Sequence, residues 1–430
     1  MNIKLSTRLF SVVLACPAVT LAGQTDANGF IEDSQLSGQL RNYYRNNDYR
    51  DRDNDGREWA QGLVLDYQSG YTQGTVGFGV DAHAYFALKL DSGGGRARTK
   101  LLVSDRSGDS ENTAALAGGA VKMRVSNSEL KYGELRPYNP VIALADSRML
   151  PATATGFAIT SNELDGLMVE GGHLTAARDF NQTGRSGGFY AGYAGVEGGD
   201  VDYLGGTYQT HPQWLFSLYT SRYEDLWRQH YVNVDFNQPL DDTQAINVGF
   251  NLYRTLDDGK ALAGDIANTA WSLAAGYQTG AHTFTLAHQR VHGDQPFDYL
   301  ALGGGGFHDS IYLANSSLIA DFNGPGERSW SLRYQLDFGP YGVPGLTLGA
   351  RYIRGNHVDG TSVAAGSAYD FYADSEKHWE RDIDLRYVVQ SGPAKDLSVM
   401  FRQGTHRISG ASDGNVDHFR LVTEYPFDIL

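Results

Sequence analysis

The feature that most constrains this chain is an apolar–polar alternation with a period of two, sharpest between residues 416 and 430. In an extended strand His418, Arg420, Val422 and Glu424 point to one side, and Phe419, Leu421, Thr423 and Tyr425 to the other. One face is thus largely apolar and the other carries charge. The terminus of a soluble domain usually frays. The ending Tyr425-Pro426-Phe427-Asp428-Ile429-Leu430 instead predicts the closing strand of an outer-membrane barrel, with aromatic side chains at the lipid boundary.

The same period recurs upstream. Trp271, Leu273, Ala275 and Tyr277 alternate with Ser272, Ala274, Gly276 and Gln278, and Trp330, Leu332, Tyr334 and Leu336 with Ser331, Arg333, Gln335 and Asp337. No segment after the first 23 residues has a useful helical period or the ~18–20 apolar residues of a membrane helix. A barrel needs neither, because only alternate residues of each strand meet lipid. The 52 Gly, 26 Tyr and 19 Phe supply turns, strands and interfacial girdles. Residues 24–430, at roughly 20–24 residues per strand and connection, predict about 16–18 strands. The expected fold is all-β: a single-domain transmembrane antiparallel β-barrel wide enough for an aqueous channel. Short turns such as Asp257-Asp258-Gly259 and Ser391-Gly392-Pro393 are expected on the periplasmic rim. The irregular stretches 133–157 and 292–327 are expected to be long loops, folded inward to narrow the lumen.

Residues 1–23 predict a secretory signal peptide: Lys4 and Arg8, an apolar run from Leu9 to Leu21, then Ala22 and Gly23. Cys16, the only cysteine, falls inside it, so the mature chain holds no disulfide and no thiol catalyst. The expected location is the outer membrane of a Gram-negative bacterium. The formal charge of −15 argues against a nucleic-acid partner.

The functional signal is a row of arginines on the polar faces of successive strands: Arg333, Arg351, Arg386, Arg402 and Arg420. Closing the barrel brings in Arg41, which shares its face with Gln39, Tyr43 and Arg45. Like charges clustered in a low-dielectric shell need pairing or a purpose. A cationic pore wall concentrates anions, and the planar guanidinium fork suits carboxylates. The competing reading is structural, with the same arginines paired to lumenal acids such as Asp337, Asp384 and Glu424.

The chain resembles the OprD family of substrate-specific porins over nearly all of its mature length. The resemblance is carried by stretches such as Gly29-Phe30-Ile31-Glu32-Asp33-Ser34, His292-Gly293-Asp294-Gln295-Pro296-Phe297-Asp298-Tyr299 and Asp321-Phe322-Asn323-Gly324-Pro325-Gly326-Glu327. It implies an 18-stranded barrel with long extracellular loops, an inward constriction loop, and assembly as a monomer or homotrimer. It also implies a basic ladder at Arg148, Arg386, Arg402 and Arg420, with Arg41 nearby, facing a constriction built from Tyr193, Tyr299, Asp309, Ser316 and Asp321. Met400 and Asn47 stand where ladder arginines would be expected, and Ile319 where a tyrosine would be. The implied solutes carry a carboxylate: basic amino acids and small peptides first, cyclic or aromatic carboxylates as the alternative.

Other signals carry less. Asp51-Arg52-Asp53-Asn54-Asp55-Gly56 opens like a calcium loop, but Gly62 stands where the bidentate glutamate belongs. The 12 histidines show no HExxH spacing, His282 and His288 reading as interfacial or lumenal. No metal site and no cofactor is expected. A hydrolase would need a converging serine, histidine and acid, and Ser398 and His406 lie eight residues apart on one strand face, out of mutual reach at ~3.3 Å per residue. A structural barrel without selective transport is the other rival.

Overall fold

The computed structural model describes residues 23–430 except 54, 92, 94, 106 and 411. The expected signal peptide, Gly23 apart, lies outside them, as does Cys16. Eighteen antiparallel strands form one closed sheet. In chain order the first nine are β1 (Gln35–Tyr49), β2 (Gly56–Gln68), β3 (Val76–Lys89), β4 (Thr113–Val125), β5 (Ser128–Leu135), β6 (Thr153–Leu164), β7 (Leu167–Arg178), β8 (Val201–His211) and β9 (Trp214–Tyr223). The rest are β10 (Trp227–Pro239), β11 (Gln244–Asp257), β12 (Ala267–Thr279), β13 (His282–His292), β14 (Arg328–Asp337), β15 (Leu346–Asp359), β16 (Asp374–Val388), β17 (Ser398–Ile408) and β18 (Val416–Asp428).

Each strand pairs with its chain neighbours, and β18 closes on β1 in a register that sets Arg41 opposite Glu424 and Arg45 opposite Arg420. Closure leaves no unpaired edge to face lipid. The alternation read from the sequence sorts the faces: Phe78, Leu204, Leu218, Phe284 and Leu332 are exposed on the outside, where the bilayer lies. His288 stacks on Trp330 on this outer face, and His282 bonds the hydroxyls of Tyr334 and Tyr341, so both histidines are interfacial.

The two rims differ. One carries both ends of the sheet and short turns, such as residues 126–127, 165–166 and 280–281, and is periplasmic by that asymmetry. Residues 391–393 turn there, as expected, and Tyr425 donates to the Pro393 carbonyl. Asp257-Asp258-Gly259 does not. It follows the far end of β11 on the opposite, long-loop rim, where Asp258 accepts from Arg222 and Arg228. A turn's composition reports its geometry and not which rim it occupies.

Both stretches expected to fold inward enter the lumen. The first, 136–152, is shorter than the expected 133–157 because strand pairing continues to Leu135 and resumes at Thr153. The second is 293–327, as expected to within a residue. They bond to each other through Asp309 N–H to the Ala143 carbonyl and Ala145 N–H to His308 Nδ1, both 3.0 Å. Tyr223 and Tyr253 on the wall donate to the carbonyls of Val141 and Pro140. The main apolar core sits here, inside the barrel, with Val141 and Ile142 packed among Tyr223, Trp227 and Tyr253.

Candidate functional site: a basic wall and a tyrosine-capped carboxylate

Residues directly opposite in an antiparallel ladder point to the same side. The pairs Arg45–Arg420, Arg420–Arg402, Arg402–Asp384 and Arg351–Arg333 therefore place these side chains on one lumenal face across β1, β18, β17, β16, β15 and β14. Arg148 joins them from the 136–152 loop, its guanidinium 4.9 Å over the Phe180 ring.

The arginines divide into two groups, so both sequence readings describe part of the set. Arg41 donates to Glu424 Oε1 and Asp146 Oδ1, both 2.8 Å, and to the Arg148 carbonyl at 2.6 Å, which anchors the first inward loop. Arg351 pairs with Asp382 and Arg402 with Asp384. Of the three acids expected as partners, Asp384 and Glu424 pair with arginines, whereas Asp337 stands at the periplasmic rim and accepts from the Gly339 amide.

By contrast, no carboxylate pairs with Arg45, Arg148 or Arg420 among the described residues. Each has a buried guanidinium nitrogen without a protein acceptor: Arg45 Nη1, Arg148 Nε and Arg420 Nε. Burial and the nearby charge of Arg420 pull the Arg148 guanidinium down to about 10. Arg333 sits beside Arg351 on the wall of a cavity of about 230 Å³. Arg386 shares the lumenal face by register, opposite Met400, but is exposed towards the periplasmic mouth and stands apart from the buried cluster.

The 293–327 loop presents one carboxylate with three hydroxyls. Tyr193 and Tyr299 donate to Asp321 Oδ2 at 2.9 and 2.6 Å, and Ser316 to Oδ1 at 2.6 Å. Burial raises the Asp321 carboxyl against these donors. Asp309, on the same loop, is also raised by burial, with His308 and Arg148 opposing. Tyr193, Tyr299, Ser316 and Asp321 thus come together, and Asp309 lies within the field of Arg148.

The tip of this loop touches the basic wall. Arg351 donates to the Ser316 carbonyl at 3.0 Å and Arg420 to the Leu318 carbonyl at 3.3 Å. Glu380 of β16 accepts from the amides of Ile319 and Ala320 at 3.0 and 2.9 Å. A side chain at Gly404 would begin 2.9 Å from Leu318 Cδ2 and 3.0 Å from Ile319 Cδ1, so glycine makes room for the tip. At the two departures from the ladder, Asn47 accepts from Arg45 at 3.1 Å and Met400 packs against the cluster containing Tyr43 and Val422.

Sequence reasoning missed several residues that build this arrangement. Asp298 accepts the amides of Tyr193, Ala194 and Tyr299 at 2.9, 3.0 and 2.7 Å and the Tyr369 hydroxyl at 3.0 Å, holding both tyrosines of the constriction. Asp146, Glu380 and Asp382 were also not singled out. The run Glu380, Asp382, Asp384 on one strand face was a usable signal, because buried carboxylates need donors. Nothing local marked Asp298 or Asp146, whose partners lie on other segments.

The profile described as outer membrane porin, OprD family, matches residues 28–429. Porin D of Pseudomonas aeruginosa is 46% identical over 435 residues, covering 100% of this chain and 98% of its own. The porin-like protein GalP of Pseudomonas putida is 35% identical, with 96% of each chain covered. Among solved structures, Pseudomonas aeruginosa OprD has a TM-score of 0.84 at 47% identity, covering 95% of this chain and 99% of that one. OpdK of the same organism, solved with vanillate, has a TM-score of 0.84 at 34% identity, covering 93% and 100%.

Proposed function

Because this chain belongs to the OprD family of outer-membrane porins, we propose that its channel selects solutes bearing a carboxylate and a cationic end, basic amino acids and small peptides foremost. The protein is a substrate-selective outer-membrane channel and not an enzyme. In the proposed pathway the carboxylate passes along Arg148, Arg402 and Arg420, with Arg45, Arg333, Arg351 and Arg386 extending the wall. The ammonium or guanidinium end faces Asp309 and Asp321, positioned by Tyr193, Tyr299 and Ser316.

One observation carries this reading: buried guanidinium donors of Arg45, Arg148 and Arg420 are left over after the protein's own pairing. An unpaired buried donor is costly, and the carboxylate of a passing solute would supply the acceptor that each one lacks. Arg41 is excluded from direct contact in this scheme, being saturated by Asp146 and Glu424.

The test is solute flux into liposomes for arginine, lysine, a dipeptide and benzoate. Fast arginine and lysine flux, lost in Arg420→Ala and Asp321→Asn variants that keep a folded barrel, is the expected result. Unchanged flux in both variants would refute the two-sided pathway. The second reading, cyclic or aromatic carboxylates, is favoured by the likeness to the vanillate-bound relative, and benzoate flux exceeding arginine flux would select it. Export by a leader spanning residues 1–23 and assembly as a homotrimer are parts of the same proposal. Mass measurements on the mature polypeptide and on the detergent-purified complex test them.

A further inference from the structure

We propose that His378, His406 and Asp413 form a binding site for a divalent transition metal of the zinc class at the extracellular end of the barrel. His378 is on β16, His406 on β17, and Asp413 on the segment joining β17 to β18. Both histidines are buried, and Asp413 is partly open to the mouth. Ligand atoms of all three lie within 4.8 Å of one another.

The argument rests on the outer nitrogens of the two rings. His378 Nε2 is 2.6 Å from Glu327 Oε1, and His406 Nδ1 is 2.8 Å from the Gly414 carbonyl oxygen. A carboxylate and a carbonyl only accept, so each of these nitrogens carries the proton and donates it. The inner nitrogens, His378 Nδ1 and His406 Nε2, lie 2.9 Å apart and share one proton, donated by the ring that carries hydrogen on both nitrogens. A metal ion that displaces this proton would draw on both lone pairs from a point beside the line joining them. The Asp413 carboxylate stands 3.9 Å from His378 Nδ1, on the same side.

This is the pattern of a metal-binding imidazole, whose far N–H is fixed by a carboxylate or carbonyl. With zinc–ligand bonds of about 2.0–2.1 Å, tetrahedral ligand atoms lie roughly 3.3 Å apart, so the rings turn and part by about 0.4 Å, and the Asp413 carboxylate, 3.9 Å from His378 Nδ1, swings inward by about 0.6–1.5 Å. The surroundings favour added positive charge. The glutamates Glu327 and Glu376 are buried close by, Glu327 against His378 Nε2 and Glu376 accepting from the Ser412 hydroxyl. The remaining coordination position is left to water from the mouth. Such an ion would clamp β16, β17 and the following loop together. It would also bear on the constriction, because the Phe322 ring stacks on His378 at 4.2 Å and the adjacent Asp321 holds the two tyrosines.

The site is tested with full-length protein purified in detergent, stripped with a chelator and titrated with Zn²⁺ alone. One ion per chain is expected, with a rise in the temperature at which the barrel unfolds. His406→Gln and Asp413→Asn are each expected to reduce bound zinc to background while the folded barrel persists. Asp413 is partly exposed, so its variant guards against simple misfolding. His282→Gln, altering a histidine on the lipid face, is expected to keep the full equivalent. No bound zinc in the parent protein would overturn the proposal and leave a shared proton between the rings. Undiminished zinc in both site variants, or zinc lost only in His282→Gln, would overturn it equally.

Discussion

Replacing Asp321 by asparagine isolates the electrostatic part of the proposed pathway. The amide is isosteric with the carboxylate. Its oxygen can keep accepting from Tyr193 and Tyr299, and its NH₂ can donate to Ser316 Oγ, so the three contacts survive with one reversed. What disappears is a unit negative charge. A solute cation passing about 6 Å away gains about 0.7 kcal/mol from that charge if the lumen screens like bulk water, and about 2.8 kcal/mol at an effective dielectric of about 20. With tenfold per ~1.4 kcal/mol, the variant should lower arginine flux relative to a neutral sugar by roughly 3-fold to 100-fold. The assay is paired flux of both solutes into liposomes, with barrel content checked by the heat-dependent gel shift of the folded protein. An unchanged arginine-to-sugar ratio would refute the reasoning. So would a proportional rise of both fluxes, since it would mean that the loop had not accommodated the amide.

Arg41→Met should free the first inward loop. Removing one partner of a fully buried ion pair costs ~3–5 kcal/mol, and because the Asp146 and Glu424 side chains are 48% and 26% exposed, about 2–3 kcal/mol is expected here. A lower unfolding temperature with larger single-channel conductance would bear this out, and unchanged values would not. Asp298→Asn turns an acceptor into a donor facing the Ala194 amide or the Tyr193 and Tyr299 amides, at about 1–3 kcal/mol of local stability. Hydrogen exchange should rise in residues 189–196 and 297–302 but not in the barrel strands. For pH, burial holds the Asp309 and Asp321 carboxyls above the ordinary value of 3.8, so both lose charge earlier than usual as acid is added. The arginines stay charged, so reversal potentials should show cation preference falling on the acid side of neutrality. Preference that holds steady until below pH 3.8 would contradict this.

Much of the site was legible because a strand converts sequence parity into geometry. Once β18 is read as an alternating strand, Arg420 must share a side with His418 and Glu424, and the same parity aligned Arg333, Arg351 and Arg402 before any pairing was known. Parity could not say how far along the bore each arginine sits, and Arg386 therefore looked equivalent to Arg402 although it lies nearer the periplasmic mouth. Tyr193, Tyr299, Asp309, Ser316 and Asp321 were found only through the family resemblance, since loops have no period to read.

By itself, then, the sequence determined the all-β barrel, its inner and outer faces and the cationic character of one wall, because each of these follows from local alternation. The tertiary structure alone decided which arginines are spent on Asp146, Glu424, Asp382 and Asp384 and which keep free donors. It alone brought Asp298 to the amides of both tyrosines, and His378 to His406 across 28 residues of chain. The physical reason is that hydrogen bonds and ion pairs act over ~3 Å, whereas inward-folding loops join segments whose separation along the chain carries no trace of that distance.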